Sequence, residues 1–234
     1  MCHSFEKNPG FIKLENGGYW LLIDKPSGMT SHDVIDHVRR YTGEKKVGHA
    51  GTLDPMATGL LVVALGKATK LLDSGLKGGK QYLATAKFGL GTPTGDTDSE
   101  WNYEVDSPEF TVERIENLLS LFTGKQQQIP PMISSIKRFG QRFYKVARRG
   151  WYLERESREV TISDIHLVEF DQKKGVVKFM VSGGGGLYVR SIIRDMGSVL
   201  GIPAAMIDLR RISSGDHNIE NAITLDQLET IGKG

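Results

Sequence analysis

The segment VGHAGTLDPMATG, Val47 to Gly59, gathers an imidazole, a carboxylate, a proline and three glycines in thirteen residues. His49 and Asp54 are the side chains in it that can move protons or attack carbon. Pro55 disfavours helical backbone at Asp54 and holds it extended, which aims the carboxylate. Gly48 and Gly51 allow tight backbone nearby. A loop of this composition between ordered elements is a place where function collects. An isolated aspartate there serves as a nucleophile, a base or a cap, and His49 serves equally as a packed side chain. No Gly-Lys-Ser/Thr follows at Walker spacing, so the segment is not a P-loop.

Charge is distributed unevenly. Residues 91–117 carry eight acids and one base, Arg114, whereas residues 137–149 carry six bases and no acid. Phe139, Phe143 and Tyr144 lie among those bases. Cations interleaved with aromatics suit a phosphate backbone with bases beside it. The same pattern also fits a solvated amphipathic helix.

Several elements must position these groups. Tyr19 to Asp24 reads as a strand, followed by a turn at Pro26 and Gly28. Ser31 is placed to cap a helix over His32 to Thr42, with Val34, Ile35, Val38 and Tyr41 on one face and Gly43 at its end. Leu60 to Leu65 is an apolar run buried on both faces, and periodicity does not separate strand from helix there. Lys80 to Phe88 alternates as a strand. Gly91 to Asp106 is rich in turn residues and reads as an exposed loop. Thr111 caps a helix carrying Val112, Ile115, Leu118, Leu119 and Phe122, closed by Gly124. Pro130 keeps Gln126–Pro131 out of helix. A helix is expected around Arg142 to Arg149. Val160–Phe170 and Val176–Ser182 read as paired strands, Ser191–Leu200 as a helix ended by Gly201, Leu209–Ile212 as a strand and Leu225–Ile231 as a short helix. Strands and helices mix without regular alternation, which predicts an α+β fold with a mixed or largely antiparallel sheet.

The chain has 234 residues, 39% hydrophobic and 25% charged, with a net charge of +2. That is an ordinary globular composition. The longest apolar run, Leu60 to Leu65, is far short of the roughly 20 residues that span a bilayer. The first ten residues carry no apolar core of a secretory signal. Cys2 is the single cysteine, so no internal disulfide and no cysteine zinc site is expected. The histidines have no paired metal-ligand spacing, and no metal is expected. A reducing cytoplasm is the predicted compartment.

Five further blocks accompany the Asp54 segment in order. They are LLIDKPSGMTSHDVI (21–35), GKATK with GKQYLATAKFGLGTPTGDTD (66–70 and 79–98), QQIPPMISSIKRFGQRFYKVARRG (127–150), GLYVRSIIRDMG (186–197) and LRR (209–211). Together with VGHAGTLDPMATGLL they closely resemble the TruB family of tRNA pseudouridine synthases over roughly residues 18–212. The resemblance implies isomerisation of uridine to pseudouridine, at uridine 55 in the T loop of tRNA, without metal or cofactor. It makes Asp54 the catalytic aspartate and Arg190 its pairing arginine. Tyr82 becomes the tyrosine stacked on the target base, Tyr188 a second active-site tyrosine, and Leu209 a pocket residue. His49 becomes a contact to the loop RNA that helps displace the base. Lys25, Lys67, Lys137, Arg138 and Arg142 are candidate contacts to the RNA backbone.

The resemblance also implies a pseudouridine-synthase-like catalytic domain over 1–234. Its fold is α+β, with a large mixed, mainly antiparallel sheet flanked by helices. It is expected as a monomer that binds tRNA and no membrane, in a short form without the family's usual C-terminal RNA-binding domain. The chain departs from the family pattern at Leu187, where a threonine is usual, and at Gly183–Gly186, where a lysine-containing run is usual.

Overall fold

In the computed structural model the apolar run at 60–65 is a strand, and its neighbours explain why it needs no polar face. The structure describes residues 8–72, 76, 78–98, 102–106, 109–131, 137–138, 141–142 and 155–233. The strands are β1 Phe11–Lys13, β2 Tyr19–Lys25, β3 Val47–His49, β4 Thr58–Leu65, β5 Lys80–Phe88, β6 Leu90–Gly91, β7 Tyr103–Glu104, β8 Gly124–Gln128, β9 Lys137–Arg138, β10 Gln141–Arg142, β11 Arg158–Asp171, β12 Val176–Gly183, β13 Ala204–Ser214 and β14 His217–Asn218. The helices are α1 Ser31–Thr42, α2 Val112–Ser120, α3 Val189–Leu200 and α4 Leu225–Lys233. Contacts gather the chain into two compact units, Met1–Gln81 with Arg210–Gly234, and Tyr82–Leu209.

In the first unit β4 pairs antiparallel with β2 from Tyr19↔Leu65 to Lys25↔Gly59. β3 also pairs antiparallel with β4, and Arg210 and Arg211 of β13 run parallel to Thr58 and Gly59. Side chains alternate along β4. Leu61, Val63 and Leu65 face a cluster with Leu21, Ile23, Val34, Ile35, Val38 and Leu228. Leu60, Val62 and Ala64 face another with Trp20, Leu22 and Ala68. Both faces are dry, so the run has no polar alternation.

The cap of α1 is Thr30, not Ser31. The Asp33 amide donates to Thr30 Oγ1 at 3.1 Å, and Asp33 Oδ2 accepts from the Thr30 amide at 2.8 Å, a reciprocal capping box. Ser31 is buried one residue on and serves another purpose. The Thr30 hydroxyl, which donates to Asp33 Oδ2 at 2.7 Å, and then the Thr30 amide hold the Asp33 carboxyl below its ordinary value. Thr30→Ala should therefore lower stability by about 1 kcal/mol at neutral pH, read by urea unfolding. A lowered folded pKa means that the hydroxyl–carboxylate part of the benefit is present above the ordinary carboxylate range and lost as pH falls through the folded value, while the part from the Asp33 amide bond does not titrate. A pH-independent deficit would contradict this account of the cap.

In the second unit the strand order is the first residues of β13, then β5, β12, β11 and β8. β11 pairs antiparallel with β12 and with β8. Tyr82, Ala84, Ala86 and Phe88 are buried along β5, as the alternation requires. Helix α2 buries Ile115, Leu118 and Leu119, while Val112 is 51% exposed and lies off the face expected for it. Gly124 opens β8 rather than closing α2, whose cap is Leu121. The 91–106 stretch is not all exposed loop: β6 pairs with β7, and Asp96 is buried. Arg142 lies in a strand paired with β9, not at the start of a helix, and residues 143–149 lie outside the described residues. In the glycine run at 183–186, Gly183 ends β12 and the Gly184 amide donates to the Thr161 carbonyl at 2.9 Å. The chain is thus α+β, with a mixed, mainly antiparallel sheet flanked by helices. Among the described residues no helix is long and apolar enough to cross a membrane.

Candidate functional site

The loop between β3 and β4 carries Asp54, and four side chains or amides from the β2–α1 turn hold its backbone. Ser31 Oγ accepts from the Leu53 amide at 2.9 Å and donates to the Leu53 carbonyl at 3.1 Å. The Lys25 ammonium donates to the Pro26 carbonyl at 2.8 Å and the Pro55 carbonyl at 3.1 Å. Ser27 Oγ donates to the Met56 carbonyl at 3.0 Å, and the Gly28 amide to the Pro55 carbonyl at 2.9 Å. The residues on both sides of Asp54 are thereby fixed through backbone groups. Leu53 anchors the loop from below, buried to 3% exposure. Asp54 itself is half-buried. A carboxylate held this way is aimed by its loop and keeps access to a ligand.

β13 holds the same loop from the other side. Arg211 is fully buried; its Nε donates to the Leu60 carbonyl at 2.6 Å and one terminal nitrogen to the Gly51 carbonyl at 3.2 Å. Gly59 must be glycine here. Its φ is +96°, and a Cβ would sit 2.4 Å from the Arg211 carbonyl oxygen. Arg210 is engaged with Asp24 by two bonds of 3.0 and 2.7 Å.

Lys25 is not placed as an RNA-backbone contact requires. It is 0% exposed, and its ammonium is spent on two carbonyls. It is a clamp on the Asp54 loop. Lys67 is exposed on the 3₁₀ turn after β4, and His49 is half-buried at the end of β3. Lys137 and Arg138 lie on β9 and Arg142 on β10. The other bases and the aromatics of the 137–149 stretch lie outside the described residues.

In the second unit the start of α3 is organised by Gln128 of β8. Gln128 Oε1 accepts from the Tyr188 amide at 2.8 Å, and its Nε2 donates to the Tyr188 carbonyl at 3.0 Å. Ser191 Oγ donates to the Ile129 carbonyl at 2.8 Å. These bonds fix the backbone from which Tyr188 and Arg190 project. Arg190 is 4% exposed and pairs with Asp96 at 3.2 Å, also donating to the Thr94 carbonyl at 3.1 Å. Thr94 Oγ1 donates to the other Asp96 oxygen at 2.6 Å. Tyr82, 7% exposed, lies on β5 and Leu209, 5% exposed, on β13.

Sequence reasoning did not single out Asp96, Gln128 or Ser31 for these roles. Asp96 was one acid in an acidic stretch. The available signal was Arg190 itself: a guanidinium on the first turn of an apolar helix needs an anion.

A family model described as "TruB family pseudouridylate synthase (N terminal domain)" matches residues 39–189. A second, described as "tRNA pseudouridylate synthase B C-terminal domain", matches residues 190–233. The tRNA pseudouridine synthase B of Oenococcus oeni is 40% identical over 218 residues, covering 89% of this chain and 72% of that relative. The enzyme of the same name from Geobacter sulfurreducens is 41% identical over 214 residues, covering 92% and 70%. Among solved structures, a Cbf5-Nop10-Gar1 complex contains a chain with a TM-score of 0.67 and 32% identity; the match covers 88% of this chain and 52% of that one. This chain therefore spans about half the length of that neighbour.

Proposed function

The chain belongs to the TruB family of pseudouridylate synthases, enzymes of tRNA modification, and on that premise we propose that it isomerises uridine 55 in the T loop of tRNA. The observation that carries the proposal is the Asp54 loop. It matches the family's motif from Gly48 to Leu61, and its backbone is fixed on both sides of the carboxylate. In the proposed reaction the N1–C1′ bond of the uridine breaks, the uracil turns, and C5 bonds to C1′. The hydrogen on C5 leaves as a proton, and N1 takes one up. Ionised Asp54 begins the sequence, by attack on C1′ or by removing the C2′ proton.

The remaining roles follow the family motifs. Reaching C1′ requires that the nucleotide leave its stack, at a cost of a few kcal/mol. Tyr82 offers the aromatic face for the displaced base, and Leu209 an apolar wall. Of the two residues at the rigid start of α3, Tyr188 serves as a second active-site tyrosine and Arg190 as the arginine that pairs with Asp54 and keeps it ionised. His49 helps hold the loop RNA open. The charged pair at Arg190 and Asp96 supports this reading, because it keeps the guanidinium in one place.

Isomerisation expels the C5 hydrogen, so the test is release of tritium from tRNA transcript labelled at uridine C5. Release by the protein, complete at one uridine per tRNA, is expected. Tight tRNA binding with no release would replace the reading with that of an RNA-binding protein. Tyr82→Ala should lose about 1–3 kcal/mol of stacking, roughly a 5- to 150-fold fall in kcat/KM for tritium release. An unchanged kcat/KM would place the base elsewhere.

A further inference from the structure

Lys80 and Arg211 stand close together under the exposed Gly51 turn of the Asp54 loop. A Cβ built on Gly51 would lie 3.3 Å from Lys80 Cε and 3.6 Å from an Arg211 terminal nitrogen. That nitrogen, Nη1, is buried with no hydrogen-bond partner, although the rest of the guanidinium holds the Leu60 and Gly51 carbonyls. Lys80 has no ion pair among the described residues. The Gly215 amide donates to the Gly79 carbonyl at 2.9 Å, which fixes the backbone from which Lys80 projects. Gly51 itself is exposed, with φ +97°, a backbone conformation that favours glycine.

Two cations side by side without a matching anion are unfavourable. Burial, together with the Arg211 charge, lowers the Lys80 pKa. An anion arriving there is attracted by both charges and stabilises the ammonium form. An ammonium is a compact charge suited to a single phosphate oxygen. The substrate proposed above is a polyanion, and a nucleotide turned out of its stack needs its backbone gripped beside it.

We propose that Lys80, backed by buried Arg211, is the seat for one RNA phosphodiester beside the Asp54 loop. The proposal rests on the RNA-modifying reading. It makes Lys80 a binding residue that none of the motif assignments includes, and it gives Gly51 a reason to carry no side chain.

The experiment measures binding of unmodified tRNA transcript to the full chain across a salt series, for wild type, Lys80→Gln and Lys80→Arg. For Lys80→Gln, Kd should rise by roughly tenfold. The slope of log K against log salt should fall by about 0.7–0.9, the value of one phosphate. Lys80→Arg should keep most of the slope. The Tm of Lys80→Gln should equal or exceed that of wild type, because a repelled charge is removed. An unchanged slope in Lys80→Gln overturns the proposal, as does an equal loss of slope in both variants. A lower Tm with an unchanged slope assigns Lys80 to structure and also overturns it. Tritium release by wild type, measured on the same RNA, separates the two claims. Release with an unchanged slope in Lys80→Gln removes the phosphate seat and leaves the reaction. No release with a reduced slope removes the reaction and leaves the seat.

Discussion

Asp54→Asn should reduce pseudouridine formation by roughly a thousandfold or more, because an amide neither attacks C1′ nor accepts the C2′ proton. The same variant should bind tRNA within about tenfold of wild type. The structure gives the reason for the split. The bonds that hold the loop run through the backbone of Gly51, Leu53, Pro55 and Met56, from Arg211, Ser31, Lys25 and Ser27. The substitution leaves every one of them in place. Single-turnover conversion and filter binding on one preparation read the two effects separately. Turnover within tenfold of wild type would remove Asp54 from the centre of the reaction. Binding lost together with turnover would mean that the carboxylate also holds the loop.

Asp96→Ala should cost about 3–5 kcal/mol of folding stability, the usual effect of breaking a buried ion pair. Both partners are 4% exposed, so Arg190 would lose the Asp96 carboxylate where little water reaches it. Against a total stability of roughly 5–15 kcal/mol this is a large fraction. Urea unfolding checks it through the midpoint at constant slope. The double variant Asp96→Leu/Arg190→Met should recover much of the stability, since apolar replacement of a buried pair is often neutral. It should not recover activity if Arg190 acts on the substrate. A loss under 1 kcal/mol in the single variant would show that the pair does not anchor the start of α3.

Much of this architecture was legible in the sequence because local signals agreed with tertiary demands. β5 alternates because one face is covered. Gly43 and Gly201 end α1 and α3 in left-handed backbone, at φ +69° and +73°, where glycine is favoured. The misplaced cap of α1 shows the limit of local reasoning. Thr30 and Ser31 are both good caps, and the choice was made by Leu53, 22 residues away, which takes the Ser31 hydroxyl for the loop. Asp96 was obscured in the same way. Its neighbours are polar and turn-forming, and what holds it inside, Arg190 and the backbone of Met206, is distant in sequence.

Lys25 departs from the expectation of an exposed RNA-backbone contact for a related reason. A lysine in a turn beside a proline has the composition of a surface contact, yet it is fully buried and bonded to Pro55. Nothing local marks it, because both acceptors are backbone carbonyls. The Asp54 motif was legible because its glycines and proline shape the loop that carries the carboxylate. The backbone clamps around it come from residues 22 to 160 positions distant. Pairings over such separations leave no periodic trace.

One carboxylate is expected to carry one chemistry at one nucleotide. The most direct measurement incubates wild type and Asp54→Asn with unmodified tRNA transcript and maps pseudouridine by carbodiimide-dependent stops in primer extension. A single new stop at T-loop position 55 is expected with wild type and none with the variant. A stop at another position, or one that persists in Asp54→Asn, would contradict it.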